Sequence, residues 1–402
     1  MPTRNPPAWT YNLPVALMLL APFNLLASLG MDIYLPVVPA MPGILGTTPT
    51  VIQLTLTLYM IVLGVGQLLF GPLSDRLGRR PVLLAGALIF AIASLALAAT
   101  SSGVPFLALR LLQAIGASAM LVALFATIRD VYAEKPESVV IYSLMNAMLA
   151  FVPALGPIAG AVIAQEFGWR GVFLALGIPA LAMLPIVLPC WHETRVLRPG
   201  AHGTAFGPIL KNPAFRAYTL GFGTAMGSFF VFFSTAPRVL MGNAGFSGLE
   251  FSLAFATVAA AMIVTTRFAK QLVKRWGIGG SALRGMVLLI CGAVLLFLGQ
   301  ICLGPSFWSF IPPMWVCAVG IVVTTSVTAN GALRDFNDAA GSAVALHFCL
   351  QSIIVGVAGT AFVVMLDGGT GWPLIAYTFS MASVTVLALL RVKASVPGRR
   401  SA

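Results

Sequence analysis

Charge is what this chain of 402 residues has least of: 8% of it is Asp, Glu, Lys or Arg, while 59% is hydrophobic. A soluble domain carries roughly 25% charged residues, so a soluble globule is excluded. Histidine is nearly absent, at His192, His202 and His347, and no His-Glu-x-x-His run occurs, which leaves a metal hydrolase almost no ligands. No lysine follows a glycine, so the Gly-Lys-Ser/Thr phosphate loop of an ATP-driven pump is missing. The five cysteines form no Cys-x-x-Cys pair and read as small packing residues without disulfide or metal roles. Short alternating segments of the transmembrane-barrel kind are lacking as well. No enzyme, cofactor or metal centre is expected. No cleavable signal is expected either, because the run from Leu13 continues at full span length.

What the chain does have is long oily runs. Stretches near 14–38, 51–72, 82–100, 105–128, 139–164, 171–190, 216–241, 250–273, 283–303, 308–332, 341–366 and 372–391 each approach the ~20 apolar residues that cross a bilayer. The expected fold is therefore an all-α membrane protein of twelve transmembrane helices. A net charge of +12 invites a nucleic-acid reading, but its distribution argues for topology. With the N-terminus inside, all of the 23 basic residues except Arg110, Arg170 and Arg238 fall in inner tails, loops and helix ends. Such asymmetry places both termini in the cytoplasm. Residues 1–12, rich in proline, read as a disordered tail.

The stretch Gly71-Pro72-Leu73-Ser74-Asp75-Arg76-Leu77-Gly78-Arg79-Arg80 interrupts the oil with one acid and three arginines, and reads as an inner turn between the second and third spans. Gly78 permits an unusual backbone angle, and Pro81 suits the first position of the next helix. In the first span, Asp32 lies ~9 Å from the outer boundary at Val38, counting 1.5 Å per residue. A carboxylate inside a span is costly, which makes Asp32 a candidate proton carrier; the alternative is a helix-end acid reaching water. Arg110 enters the fourth span at a similar depth, ~8 Å. The two charges could neutralise each other, and Gln113 shares the face of Arg110. Snorkelling of Arg110 is the alternative. Asp130, at the inner end of the fourth span, is placed to meet the loop of Asp75 and Arg79.

In the fifth span, Pro153-Ala154-Leu155-Gly156-Pro157-Ile158-Ala159-Gly160 combines helix breakers with small residues that admit a neighbouring helix. A kinked packing helix without directional meaning is the plain reading. The seventh span carries Phe229, Phe230, Phe232 and Phe233 before Ser234-Thr235-Ala236-Pro237-Arg238; Phe233 could line an aromatic-ligand pocket, while some of these rings would have to face lipid. Arg238 reads as snorkelling outward. His347 could titrate, but fits a hydrogen-bonded packing residue better. Asp75-Arg76-Leu77-Gly78 is echoed 199 residues later by Lys274-Arg275-Trp276-Gly277, and Gly168-Trp169 by Gly371-Trp372 after 203. These echoes suggest two six-helix halves, residues 1–190 and 216–402, joined by a polar linker at 191–215.

The loop resembles the Gly-x-Leu-x-Asp-Arg-x-Gly-Arg-Arg signature of the major facilitator superfamily. Arg110-x-x-Gln113 resembles its fourth-span motif, with Ala114 in the usual glycine position. The fifth span resembles the antiporter motif at Gly156, Pro157 and Gly160, although Ala161 and Val152 replace glycines. With Asp32-Ile33-Tyr34-Leu35-Pro36, the chain is similar to the drug:proton antiporters of the Bcr/CflA group. Phe229 to Arg238 and Thr328 to Leu333 look like the phenicol exporters of the CmlA/FloR type. The resemblance implies proton-coupled efflux of chloramphenicol or florfenicol across the bacterial inner membrane, with an inner gate of Asp75, Arg79 and Asp130. Drug contacts would fall to Asn24, Tyr34, Tyr59 or Asn146. The phenicol exporters carry an acid where this chain has Asn24, which leaves a second protonatable group in doubt. The implied partners are a small-molecule drug, protons and the lipid bilayer, with no nucleic acid, and the chain is expected to act as a monomer. A multidrug exporter of other substrates or a proton-coupled metabolite importer is the alternative.

Overall fold

The computed structural model describes residues 9, 11–132, 135, 137–195, 206–336 and 340–395, and every regular element among them is helical. The chain divides into two compact units, Met1–Ala201 and His202–Ala402.

The first unit contains α1 (Leu13–Asp32), the short α2 (Met41–Ile44), α3 (Pro49–Leu77), α4 (Arg79–Ala99), α5 (Gly103–Tyr132) and α6 (Glu137–Cys190). Helix α1 starts where the Asn12 side chain accepts the amide of Val15 and ends one turn before Pro36, which continues it only as a 3-10 turn over Leu35–Val37. Helix α6 has 54 residues, ~81 Å at 1.5 Å per residue, more than twice a bilayer core. It holds two spans, because Gly168 adopts φ 69°, a left-handed backbone that breaks the helix.

The second unit contains α7 (Phe206–Lys211), α8 (Pro213–Pro237), α9 (Gly248–Leu303), α10 (Phe307–Leu333), α11 (Ala340–Ile353), α12 (Gly359–Met365) and α13 (Trp372–Ser395). The 56-residue α9 is again two spans, broken at Gly277 with φ 67°. A π turn over Ile354–Ala358 joins α11 to α12 as one span. Among the described residues, ten helical segments are long and apolar enough to cross a membrane, and the two glycine breaks make them twelve spans, six in each unit. The repeat extends to packing. Gly86 on α4 meets the Gly116 carbonyl on α5, and Gly285 on α9 meets the Gly320 carbonyl on α10, so close that a methyl group at either site would collide with backbone.

Several sequence expectations change. The inner turn is far shorter than ten residues: α3 runs to Leu77 and α4 begins at Arg79, leaving Gly78 as the sole hinge. Pro81 is thus the third helical residue, still in the first turn, where amides lack helical partners. The residues before α1 are not a free tail where they are described, since Trp9 is buried. Phe229, Phe230, Phe232 and Phe233 are all buried, and none spends its ring on lipid. Cys291 and Cys302 lie at exposed positions on α9 rather than in the packing.

Candidate functional site

Two polar clusters stand out in the first unit. The first lies where α3 meets α4. Arg79 is 3% exposed, and a buried guanidinium needs its charge and its N–H groups matched. Its Nη1 sits 2.6 Å from Asp75 Oδ1 and donates to Ser74 Oγ at 2.9 Å, while Nε donates to Asp130 Oδ2 at 2.8 Å. The two carboxylates differ in setting: the Asp130 side chain is 3% exposed and that of Asp75 62%. Arg129 adds a looser contact to Asp130, at 3.5 Å.

Glu193, at the far end of α6, completes this cluster and escaped the sequence reading. Its carboxylate accepts the backbone amides of Arg79 at 2.8 Å, Arg80 at 3.2 Å, Thr194 at 3.0 Å and Arg195 at 2.9 Å. The first two are orphan donors at the N-terminus of α4, where the helix dipole favours an anion. Arg80 donates to the Leu188 carbonyl at 2.6 Å and Arg195 to the Arg76 carbonyl at 2.5 Å, tying the α3–α4 hinge to the end of α6.

An aromatic strap lies beside this cluster. Trp9 Nε1 donates to Tyr132 Oη at 3.0 Å, and the Trp9 ring meets Trp191 edge-on at 5.0 Å. Tyr11 Oη donates to the Cys190 carbonyl at 2.6 Å and its ring stacks on His192. Burial, with the nearby Cys190 thiol adding to it, pushes the Tyr11 phenol up from its ordinary value. The strap thus joins the end of α5, two residues beyond Asp130, to the segment carrying Glu193.

The second cluster is inside the helices. Arg110 is fully buried, with its Nη1 donating to the Gly30 carbonyl at 2.8 Å and to Gln113 Oε1 at 2.5 Å. Gln113 Nε2 passes the chain on to Ser94 Oγ at 2.8 Å. The guanidinium carbon lies 5.0 Å from the Tyr34 ring centre and 4.8 Å from that of Tyr59, so two aromatic faces share the charge. Arg110 therefore does not snorkel. It forms no ion pair with Asp32 in this conformation, although the Gly30 carbonyl it bonds is only two residues away. Arg110 Nε, Arg110 Nη2 and Tyr34 Oη find no hydrogen-bond partner among the described residues, whereas Tyr59 Oη donates to the Ala27 carbonyl at 2.9 Å.

Asp32 is 9% exposed and faces α6. A methyl group on Gly156 would come within 2.8 Å of Asp32 Cβ, and one on Gly160 would run into the Ile33 carbonyl. The glycines and Pro157 therefore let α6 press against the helix turn bearing Asp32. Asn24, one face further down, donates to the Met145 carbonyl at 3.2 Å, and its Oδ1 has no partner among the described residues. The Asn146 side chain lies outside the described residues.

In the second unit, Phe233 belongs to a buried ring cluster with Phe229 at 6.4 Å and Phe255 at 6.1 Å; Phe232 stacks on Phe255 at 5.1 Å. His347 is buried, bonded through Nδ1 to Thr219 Oγ1 at 2.8 Å and ringed by Phe222, Phe348 and Phe215, as a packing residue would be. Arg238 is half-buried against Gly368 rather than extended into solvent.

Two repeated six-helix units with ionisable side chains buried in their spans are the anatomy of a secondary membrane transporter. Residues 20–360 match the Major Facilitator Superfamily, and the chain belongs to that family. It is 50% identical over 382 residues, 94% of this chain and 91% of the other, to a chloramphenicol resistance protein of Pseudomonas aeruginosa. It is 27% identical over 341 residues, 82% of this chain and 85% of the other, to the multidrug resistance protein MdtL of Shewanella oneidensis. Among solved structures, the xylose transporter XylE from E. coli is similar with a TM-score of 0.72 at 16% identity, covering 97% of this chain and 99% of that one. A bacterial homologue of the human lysosomal transporter Spinster gives 0.71 at 16% identity, over 95% of each chain. At such identities these two likenesses speak for the fold alone.

Proposed function

We propose that this protein exports phenicol antibiotics, chloramphenicol or florfenicol, across the bacterial inner membrane in exchange for entering protons. The observation that carries the reading is the 50% identity, along nearly the whole chain, with the Pseudomonas aeruginosa chloramphenicol resistance protein. Both termini are cytoplasmic, the halves are 1–190 and 216–402 around the linker 191–215, and the working unit is a monomer. Asp32 carries the proton. When Arg110 approaches it, the carboxylate is held as an anion and its proton leaves; when Arg110 stays with Tyr34, Tyr59 and the Gly30 carbonyl, Asp32 is free to take one. The proximity of Gly156, Pro157 and Gly160 supports coupling, because protonation at Asp32 changes the surface on which α6 rests.

Asp75, Arg79 and Asp130 act as the inner gate. Asn24, Tyr34, Tyr59, Asn146 and Phe233 supply polar and aromatic contacts to a drug that has both a ring and hydroxyl and amide groups. Tyr34 Oη and Asn24 Oδ1, without hydrogen-bond partners among the described residues, favour that role. One proton entering through 100 mV releases about 2.3 kcal/mol, which sustains a drug gradient of about fiftyfold. No chemical step on the drug is part of this reading, so the protein is a transporter and not an enzyme. Labelled chloramphenicol in a sensitive bacterium should fall on expression and rise again when a protonophore collapses the gradient. Equal accumulation with and without membrane-inserted protein would reject the proposal. The likeness to MdtL favours a broader drug range as the second reading, and a susceptibility panel across unrelated drugs separates the two.

A further inference from the structure

The two units treat the same position in the repeat differently. At the α3–α4 hinge of the first, Arg79 is neutralised by Asp75 and Asp130, and Glu193 caps the helix start. At the matching Gly277 break of α9, 199 residues later, Lys274-Arg275 stands where the first unit has Asp75-Arg76. Around that break Arg267, Lys270, Lys274, Arg275 and Arg284 are all exposed, and none forms an ion pair among the described residues. In sequence the nearest acids are Glu250 and Asp335. Glu250 caps the opposite end of the same helix, ~25 Å from Arg267 at 1.5 Å per residue, and closes on Ser247. Five cations so close together, with no carboxylate partner among the described residues, repel one another and favour an anion that neutralises them.

The geometry points to a lipid. Arg267, Lys270 and Lys274 are spaced three and four apart and share one helix face. From Gly248 to Gly277 the helix is ~43 Å long, about 13 Å more than the hydrocarbon core, so its basic end reaches headgroup depth. The patch is edged with membrane-facing apolar groups: Phe268 is 53% exposed and Ile278 38%. Arg284 lies over the Trp276 ring at 5.0 Å, an aromatic suited to the interface. We propose that the α9 break in the second unit is a binding site for the phosphate-bearing headgroup of anionic phospholipids, a site the first unit lacks because its own carboxylates occupy the equivalent place.

Native mass spectrometry of the full chain in neutral detergent tests this with phosphatidylglycerol, phosphatidylethanolamine and inorganic phosphate as probes. Phosphatidylglycerol should bind in preference to phosphatidylethanolamine. Replacing Lys270, Lys274 and Arg275 by glutamine should weaken it about 100-fold, at about fivefold per cation near a membrane surface. Lys270→Arg with Lys274→Arg should keep it, and removal of Lys211, Arg216 and Arg334 should change it less than about threefold. If the triple variant fails to insert, Lys274→Gln alone should still cost about fivefold. Unchanged phosphatidylglycerol binding by the inserted triple or single variant overturns the proposal. So does full displacement of the lipid by millimolar inorganic phosphate, which would make the cluster a site for soluble anions.

Discussion

Arg79 and Arg110 are both almost fully buried, yet they are neutralised in opposite ways, and the difference predicts how each responds to substitution. Arg79 depends on carboxylates. Because Asp130 is buried and Asp75 largely exposed, Asp130→Asn should cost about 3 kcal/mol, whereas Asp75→Asn should cost under ~1 kcal/mol. Thermal unfolding in detergent should therefore show a clear drop for the first and a slight one for the second; equal shifts would contradict the assignment of Asp130 as the principal partner. Arg110 depends on planarity, its guanidinium lying between two tyrosine rings while it donates to Gly30 and Gln113. Lysine keeps the charge but neither the flat face nor the forked donors. Arg110→Lys should thus lose most proton-coupled export, read as drug-driven pH change in vesicles, while drug binding by calorimetry persists. Retained coupling would show that charge alone suffices there.

At the scale of elements, the tight seam is between α1 and the first half of α6. Gly160→Ala would drive a methyl group into the Ile33 carbonyl, which, being backbone, cannot swing aside. A cost of about 1–3 kcal/mol is expected, together with loss of export at normal surface expression. Full export by Gly160→Ala would mean the seam opens freely. Glu193→Gln should loosen the start of α4, seen as faster amide exchange at Arg79 and Arg80, because a neutral amide caps orphan donors less well than an anion. Unchanged exchange would reduce Glu193 to an incidental contact. The helices themselves were legible in the sequence as apolar runs, and so was the common level of Asp32 and Arg110, since it follows from counting residues along a helix. The α3–α4 cluster was legible through its motif. Glu193 was not, because its partners on α4 lie 114 and 113 residues away and nothing local marks a carboxylate as a cap for another helix. The strap was hidden for the same reason: Trp9 and Tyr11 sit in a proline-rich stretch, and their partners Tyr132, Cys190, Trp191 and His192 are more than 120 residues away. That Arg110 bonds the Gly30 carbonyl rather than Asp32 depends on side-chain rotamers, which spacing does not determine.

For the whole molecule, the repeat is one of backbone and packing, while the chemistry is uneven. Both units share the six-span order, the glycine break at Gly78 and Gly277 and the close glycine pair, yet among the described residues the buried Arg79–Asp130 pair and the buried carboxylate of Asp32 belong to the first unit, while the second contributes a buried phenylalanine cluster and a buried histidine. Such a division fits a transporter in which one half manages protons. The central claim, that drug leaves uphill because a proton passes through Asp32, is tested most directly in proteoliposomes under an imposed pH gradient, with chloramphenicol concentration and lumenal pH followed together. The account predicts that the unaltered chain concentrates the drug and dissipates the gradient, and that Asp32→Asn still binds and equilibrates drug but does neither. Uphill movement with proton counterflow intact in Asp32→Asn would contradict it and move the proton to another group, His347 first among them.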